Sequence, residues 1–237
     1  MKSTYFFLIG WTALACTTAA MAQPPQVANQ LEADFAAQAA RVSSPARMGA
    51  VQSLRSFAAR YQGEAGTLPQ GFPFDVQDAG DMQGASIGYG FQVYDADPNS
   101  LMAGESLDAS AHATGIWRFA VTVAGRPVGL LTMAEGAAGW EAVSMGGAGL
   151  VKEVDAVVYA QGSKPAAQLR YVRVPQATAD FIEIKGAANG ERFAPLQAAR
   201  ESLRLATGDK SAGSDGLLAD AEVRSQLRDA VARNLAN

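Results

Sequence analysis

Apolar residues step by four from Val27 to Val42. Val27, Leu31, Phe35 and Ala39 make one stripe, which predicts an amphipathic helix. Ser44-Pro45 stops this helix and starts another, because Ser44 can cap and Pro45 suits a first turn. Met48, Val51, Leu54, Ala58 and Tyr61 share a face of the second helix, and Gly63 ends it. Residues 63–85 are rich in Gly, Pro and Asp and read as a loop. The period then changes to two. Ile87, Tyr89, Phe91 and Val93 alternate, predicting a strand that ends at Asp95-Ala96-Asp97-Pro98. Residues 95–114 read as a second irregular stretch.

Trp117, Phe119, Val121 and Val123 alternate with Arg118, Ala120 and Thr122, a half-buried strand. Gly125 marks a tight turn, and Val128 to Met133 returns. After a turn at Gly136 to Gly139, Trp140 to Met145 forms a third strand, so the three neighbours make an antiparallel meander. Leu150, Val151, Val154, Val157 and Val158 have helical spacing and predict a helix over 148–161 with one buried face. Val is a poor helix former, so packing must carry this element. Gln168 to Val174 and Ala179 to Lys185 read as a second hairpin around Pro175-Gln176. Pro195 to Ala206 and Leu217 to Leu235 read as helices, joined by the polar linker Gly208 to Gly216. No repeat recurs at a fixed period. The pattern predicts an α+β fold: a mostly antiparallel sheet, meander plus second hairpin, packed by a central helix, with two N-terminal and two C-terminal helices.

The first residues change the picture from fold to compartment. Lys2 gives a positive start and Tyr5 to Ala15 an apolar run too short to span a bilayer. Ala20-Met21-Ala22 is the small-x-small pattern of signal peptidase, with Gln23 as the new N-terminus. Residues 1–22 therefore read as a secretory signal, 23–62 as an N-terminal helical pair, and 63–237 as the α+β domain, with 23–237 one folding unit. The expected location is periplasmic or secreted. Leu14-Ala15-Cys16 resembles the end of a bacterial lipobox, although Ala13 stands where Leu is usual. The alternative is thus a lipoprotein anchored through Cys16, the one route by which a membrane becomes a partner.

Removing residues 1–22 takes away one cation and no acid, leaving 18 cations against 23 acids and a net charge of -5. The cations are spread without a run, which argues against nucleic acid. No cysteine remains, so the exported part is held by its core alone. Arg outnumbers Lys and Ala is abundant, a hint of a GC-rich bacterial source.

The candidate chemistry is sparse. Ala142-Val143-Ser144-Met145-Gly146 resembles the nucleophile elbow of α/β-hydrolases and falls between a strand and a helix. That resemblance implies a His late in the chain, yet the only His is His112, which precedes Ser144. Without a base the serine is a weak nucleophile, and the bland reading is a tight turn from sheet to helix. Gly84-Ala85-Ser86-Ile87-Gly88 matches the same pattern in the wrong context. Gly146-Gly147-Ala148-Gly149 could offer amides to an anion but lacks a phosphate-loop or dinucleotide fingerprint. Asp95, Asp97 and Asn99 have calcium-loop spacing, with Ser100 where Gly is needed and Ser106 where a Glu belongs. One His and no mature Cys make a zinc site implausible. Trp117 reads as core, and Trp140 is ambiguous between core and ligand stacking.

No cofactor or metal is expected. Phe72 and Phe74, in a Pro- and Gly-bounded stretch at 67–76, fit neither period. They either cap one end of the core or form a stiff aromatic patch for a partner, an unknown envelope protein or small ligand. The leading expectation is an exported, non-catalytic binding or accessory domain. The alternative is a small periplasmic hydrolase using Ser144 or a carboxylate pair.

Overall fold

A computed structural model describes residues 44–62, 66, 68–161, 168–185, 191–205 and 216–235. The helix expected over 27–42, the segment around Cys16 and most of the Gly208 to Gly216 linker lie outside the described residues. The protein is α+β, with eight strands in one mostly antiparallel sheet. Helix α1, Ser44–Ala59, leads into a loop and a short 3-10 helix at Ala79–Gly84, whose Asp78 forms a capping box with Asp81. Then follow β1 (Ala85–Ala96), two one-turn helices α2 (Pro98–Ala103) and α3 (Leu107–Ser110), β2 (Ala111–Val123), β3 (Arg126–Gly136) and β4 (Gly139–Gly146). Helix α4, Ala148–Gln161, crosses to β5 (Gln168–Val174), β6 (Ala179–Lys185), β7 (Arg192–Pro195), α5 (Gln197–Ser202), β8 (Leu218–Ala219) and α6 (Asp220–Leu235).

Two expectations change here. The stretch 95–114 is not irregular. Asp97 and Ser106 cap the two short helices through their side chains, and β2 already begins at Ala111. Pro195 closes a short strand instead of opening a long helix, because Arg192 to Pro195 pairs with β6.

The sheet runs β4-β3-β2-β1-β5-β6-β7-β8. Every pairing is antiparallel except the central one, where β1 and β5 lie parallel over Val93↔Tyr171, Tyr94↔Val172 and Asp95↔Arg173. The turn between β2 and β3 has positive φ at both Ala124 and Gly125, the backbone that suits a two-residue hairpin.

A bulge in β1 decides which side chains face which layer. The register slips between Ile87 and Gly90. Ile87 therefore packs with α1 on one face, while Tyr89, Phe91 and Val93 point to the other. Gly90 takes the position opposite Phe119, where an added Cβ would lie 2.5 Å from the ring. Arg47 of α1 donates to the carbonyls of Gly88, at the bulge, and of Ile87, at 2.7 Å for the latter.

On the first face, α1 and the 68–84 loop cover β1–β4 around Leu54, Phe57, Phe119 and Leu131. On the same face α2, α3 and α6 cover β5–β8 around Phe181, Phe193 and Leu227. The second face carries α4, whose Val151, Val154 and Val158 pack on Phe91, Leu130 and Tyr171. Among the described residues no helix is long and apolar enough to cross a membrane.

Candidate functional site

At the carboxyl ends of the parallel pair the chain leaves in opposite directions. β1 continues through α2 and α3 into β2, and β5 turns at Pro175–Ala177 into β6. Here the sheet register sets four titratable side chains side by side on the second face. His112 of β2 is opposite Asp95 of β1, Asp95 lies beside Arg173 of β5, and Arg173 is opposite Asp180 of β6. Arg173 Nε is 4.0 Å from Asp95 and 3.8 Å from Asp180. These are ion pairs too long to be hydrogen bonds. His112 is exposed and the other three are half-buried.

One row inward, Tyr171 is buried and stacks on Phe91 at 5.4 Å. The Arg118 guanidinium lies over its ring at 5.0 Å. Burial pushes the Tyr171 phenol above its ordinary value, and the Asp180 carboxylate pushes the same way against Arg118. The Tyr171 hydroxyl hydrogen-bonds both the Asp180 carboxylate and the Arg118 guanidinium, donating to the first and accepting from the second. Arg118 Nη1 and Asp95 Oδ1 are both buried atoms without a hydrogen-bond partner. The row thus carries charges of both signs at the edge of an aromatic layer that α4 covers.

A second charged cluster lies on the first face. Arg170 reaches Asp108 at 2.6 Å and the fully buried Glu183 at 3.3 Å, with its guanidinium 3.9 Å from the Tyr94 ring. Carboxylate oxygens of Asp108, Glu183 and Glu191 all fall within 4.8 Å of one another. Carboxylates so placed could hold a hard cation, but a guanidinium already stands among them as counter-charge. The cluster ties α3 to β5 and β6.

The structure separates the residues that a hydrolase would need together. Ser144 is exposed on β4 opposite Thr132, which itself faces Arg118. His112 is on β2, two strands away and six positions along, about 22 Å by strand geometry. No general base can act over that distance. Ser86 hydrogen-bonds Thr122 across β1 and β2 at 2.9 Å. Gly146 and Gly147 take positive φ and turn the chain from β4 into α4. His112 stands in a strand and not in the expected loop. Asp95, Asp97 and Asn99 do not converge: Asp95 joins the row, while Asp97 accepts from the amides of Asn99 and Ser100, each at 3.2 Å. Those amides lower the Asp97 carboxyl below its ordinary value, with Asn99 the larger cause.

Trp117 is buried against Phe119, and Trp140 is half-buried beside α1. Phe74 is 3 % exposed and meets Phe57 edge-on at 5.3 Å. Phe72 is half-buried and packs on Tyr61 at 5.2 Å and Phe57 at 5.7 Å. Gly129 makes room for this, since a Cβ there would lie 2.7 Å from the Phe74 ring. Both rings belong to the layer over the first face, with part of Phe72 still accessible.

Arg118, Tyr171, Arg173 and Asp180 were not singled out by the sequence pattern. One signal was present. Folding the hairpin about Pro175-Gln176 sets Arg170 against Glu183 and Arg173 against Asp180. The parallel contact of β1 with β5, which completes the row, has no local signature. No family model, curated protein or solved structure matches this chain.

Proposed function

We propose that this protein is an exported, non-catalytic binding or accessory domain of the bacterial cell envelope. It takes an envelope protein or a small ligand on the second face of its sheet. The observation that carries this reading is the row His112, Asp95, Arg173 and Asp180, with Arg118 and Tyr171 behind it. Groups of both signs in register at the divergence of two strands suit recognition of a polar ligand. Export rests on Lys2, the apolar run and Ala20-Met21-Ala22. Release to the periplasm or medium is the main form, and anchorage through Cys16 the alternative. Residues 23–237 act as one folding unit. Phe72 stays in the reading as a partner contact, with Phe74 behind it as support.

The hydrolase alternative would rest on Ser144, or on Asp108 and Glu183. Arg170 holds both of those carboxylates, and Glu183 has no accessible surface for a substrate to reach.

The test uses tagged protein recovered from the periplasm, offered to envelope extract. Wild type should retain a specific component that Arg173→Gln loses while its thermal melt stays unchanged. Retention unaffected by Arg173→Gln and by Phe72→Ala would contradict the reading. So would esterase activity abolished by Ser144→Ala.

A further inference from the structure

We propose that the outer side of α1 is a docking groove whose occupant is the chain's own segment 27–42, laid antiparallel along it. α1 buries Ala46, Ala50, Leu54 and Phe57 against the sheet. Its opposite side stays open. Met48 there is 66 % exposed, more than any other large apolar side chain among the described residues, and Gln52 and Arg55 are exposed beside it. With Arg47 and Val51 they line an open groove of about 490 Å³. A helix with one face on the core turns polar residues to water on the other. On α1, Met48 and the half-buried Val51 place an apolar strip on the outside instead.

Charge narrows the occupant. Residues 44–62 hold three arginines and no acid. Two of the three are engaged: Arg47 donates to the Ile87 and Gly88 carbonyls, and the Arg60 guanidinium lies over the Phe57 ring at 5.5 Å. Arg55 makes no ion pair among the described residues. The groove therefore suits an apolar stripe with a carboxylate at its flank.

Segment 27–42 lies outside the described residues, and its sequence carries that pattern. Val27, Leu31, Phe35 and Ala39 form the stripe, with Glu32 and Asp34 at its side. As a helix it would match the 16 residues of α1, about 24 Å of axis. Only Ser43 separates it from α1, and a short link makes consecutive helices antiparallel neighbours. Reflected about the link at 43–44, Ala39 falls at Met48, Phe35 at Gln52, Glu32 at Arg55 and Leu31 at Ser56. The stripe then runs along the groove, and Glu32 meets Arg55. An amphipathic helix of this length is marginal alone in water and gains its stability by burying its stripe. Tethered at the end of the groove, it is present there at an effective concentration of about millimolar, which a separate helix would have to exceed.

The test uses the full exported chain, which has no cysteine of its own when it begins at Gln23. Phe35→Cys is paired with Gln52→Cys on the groove and, as control, with Tyr159→Cys, exposed on α4 across the sheet. Each pair is equilibrated with reduced and oxidised glutathione, and the internal disulfide is measured by mass. The groove pair should close with an effective concentration at least about tenfold above the control. Arg55→Glu should lower that value at least about twofold, and Glu32→Arg in the same chain should restore it. If Phe35→Cys disturbs the fold, Glu32→Cys with Arg55→Cys reads the same contact. Equal closure of the groove and control pairs overturns the proposal. So does closure unchanged by Arg55→Glu. A disulfide between two chains in place of the internal one overturns it too, and would give the groove to a second copy.

Discussion

Phe72 and Phe74 show how much one side chain's environment decides. The sequence marked them as out of period, and that much was legible from Pro69, Gly71 and Pro73 around them. Their direction was not, because it depends on Gly129 of β3 and Phe57 of α1, both far along the chain. Phe74→Ala should cost about 3–5 kcal/mol of stability in urea denaturation, since it removes a ring from a packed core. Phe72→Ala should cost clearly less, because part of that ring is already solvated. Equal losses from the two would contradict this packing. Asp155 of α4 offers a test by pH. Burial raises its carboxyl above the ordinary value, although a hydrogen bond from the Tyr89 hydroxyl opposes the shift. A carboxyl raised by folding destabilises the fold where it is ionised, so its cost appears as pH rises and vanishes when it is protonated in both states. Asp155→Asn should therefore be at least as stable as wild type near about pH 7 and lose that advantage below about pH 4. Melts at both pH values check this, and an advantage that grows toward acid would refute it.

At the scale of elements, alternation located strands well and register poorly. Ile87, Tyr89, Phe91 and Val93 alternate in sequence as if on one face, yet the bulge turns Ile87 away from the other three. Gly88 and Gly90 inside the strand are its one local hint. Its support comes from Arg47, which donates to the Ile87 and Gly88 carbonyls. Arg47→Met keeps the apolar stem and should cost about 1–3 kcal/mol for each carbonyl left without a donor. A change within error would mean that water serves those carbonyls equally well. Gly90→Ala should destabilise by about 1–3 kcal/mol, because its Cβ would collide with Phe119 across the strands. The start of β2 escaped the sequence for a different reason. Ala111 to Gly115 lacks an apolar alternation, and the segment is a strand because β1 is there to pair with it. The β5–β6 hairpin was legible because Pro175-Gln176 and two well-patterned runs fix it locally.

For the whole molecule, composition and grouping of periods were enough for an α+β fold with a mostly antiparallel sheet. The central parallel contact was not legible, since α4 and more than 70 residues separate Val93 from Tyr171. That contact is also what brings His112, Asp95, Arg173 and Asp180 into one row, so the candidate site was hidden with it. His112 stands out in the sequence as the only histidine and Asp95 by its calcium-like spacing, but nothing local sets them beside Arg173 and Asp180. The central claim is that binding happens at this row. Hydrogen exchange of the protein, alone and with the component it captures from the envelope, tests that most directly. The amides of residues 93–96, 111–113 and 171–174 should slow on binding, with little change along β4 or around Ser144. Protection confined to β4, or to the 68–76 loop around Phe72, with the ends of β1 and β5 unchanged, would contradict it.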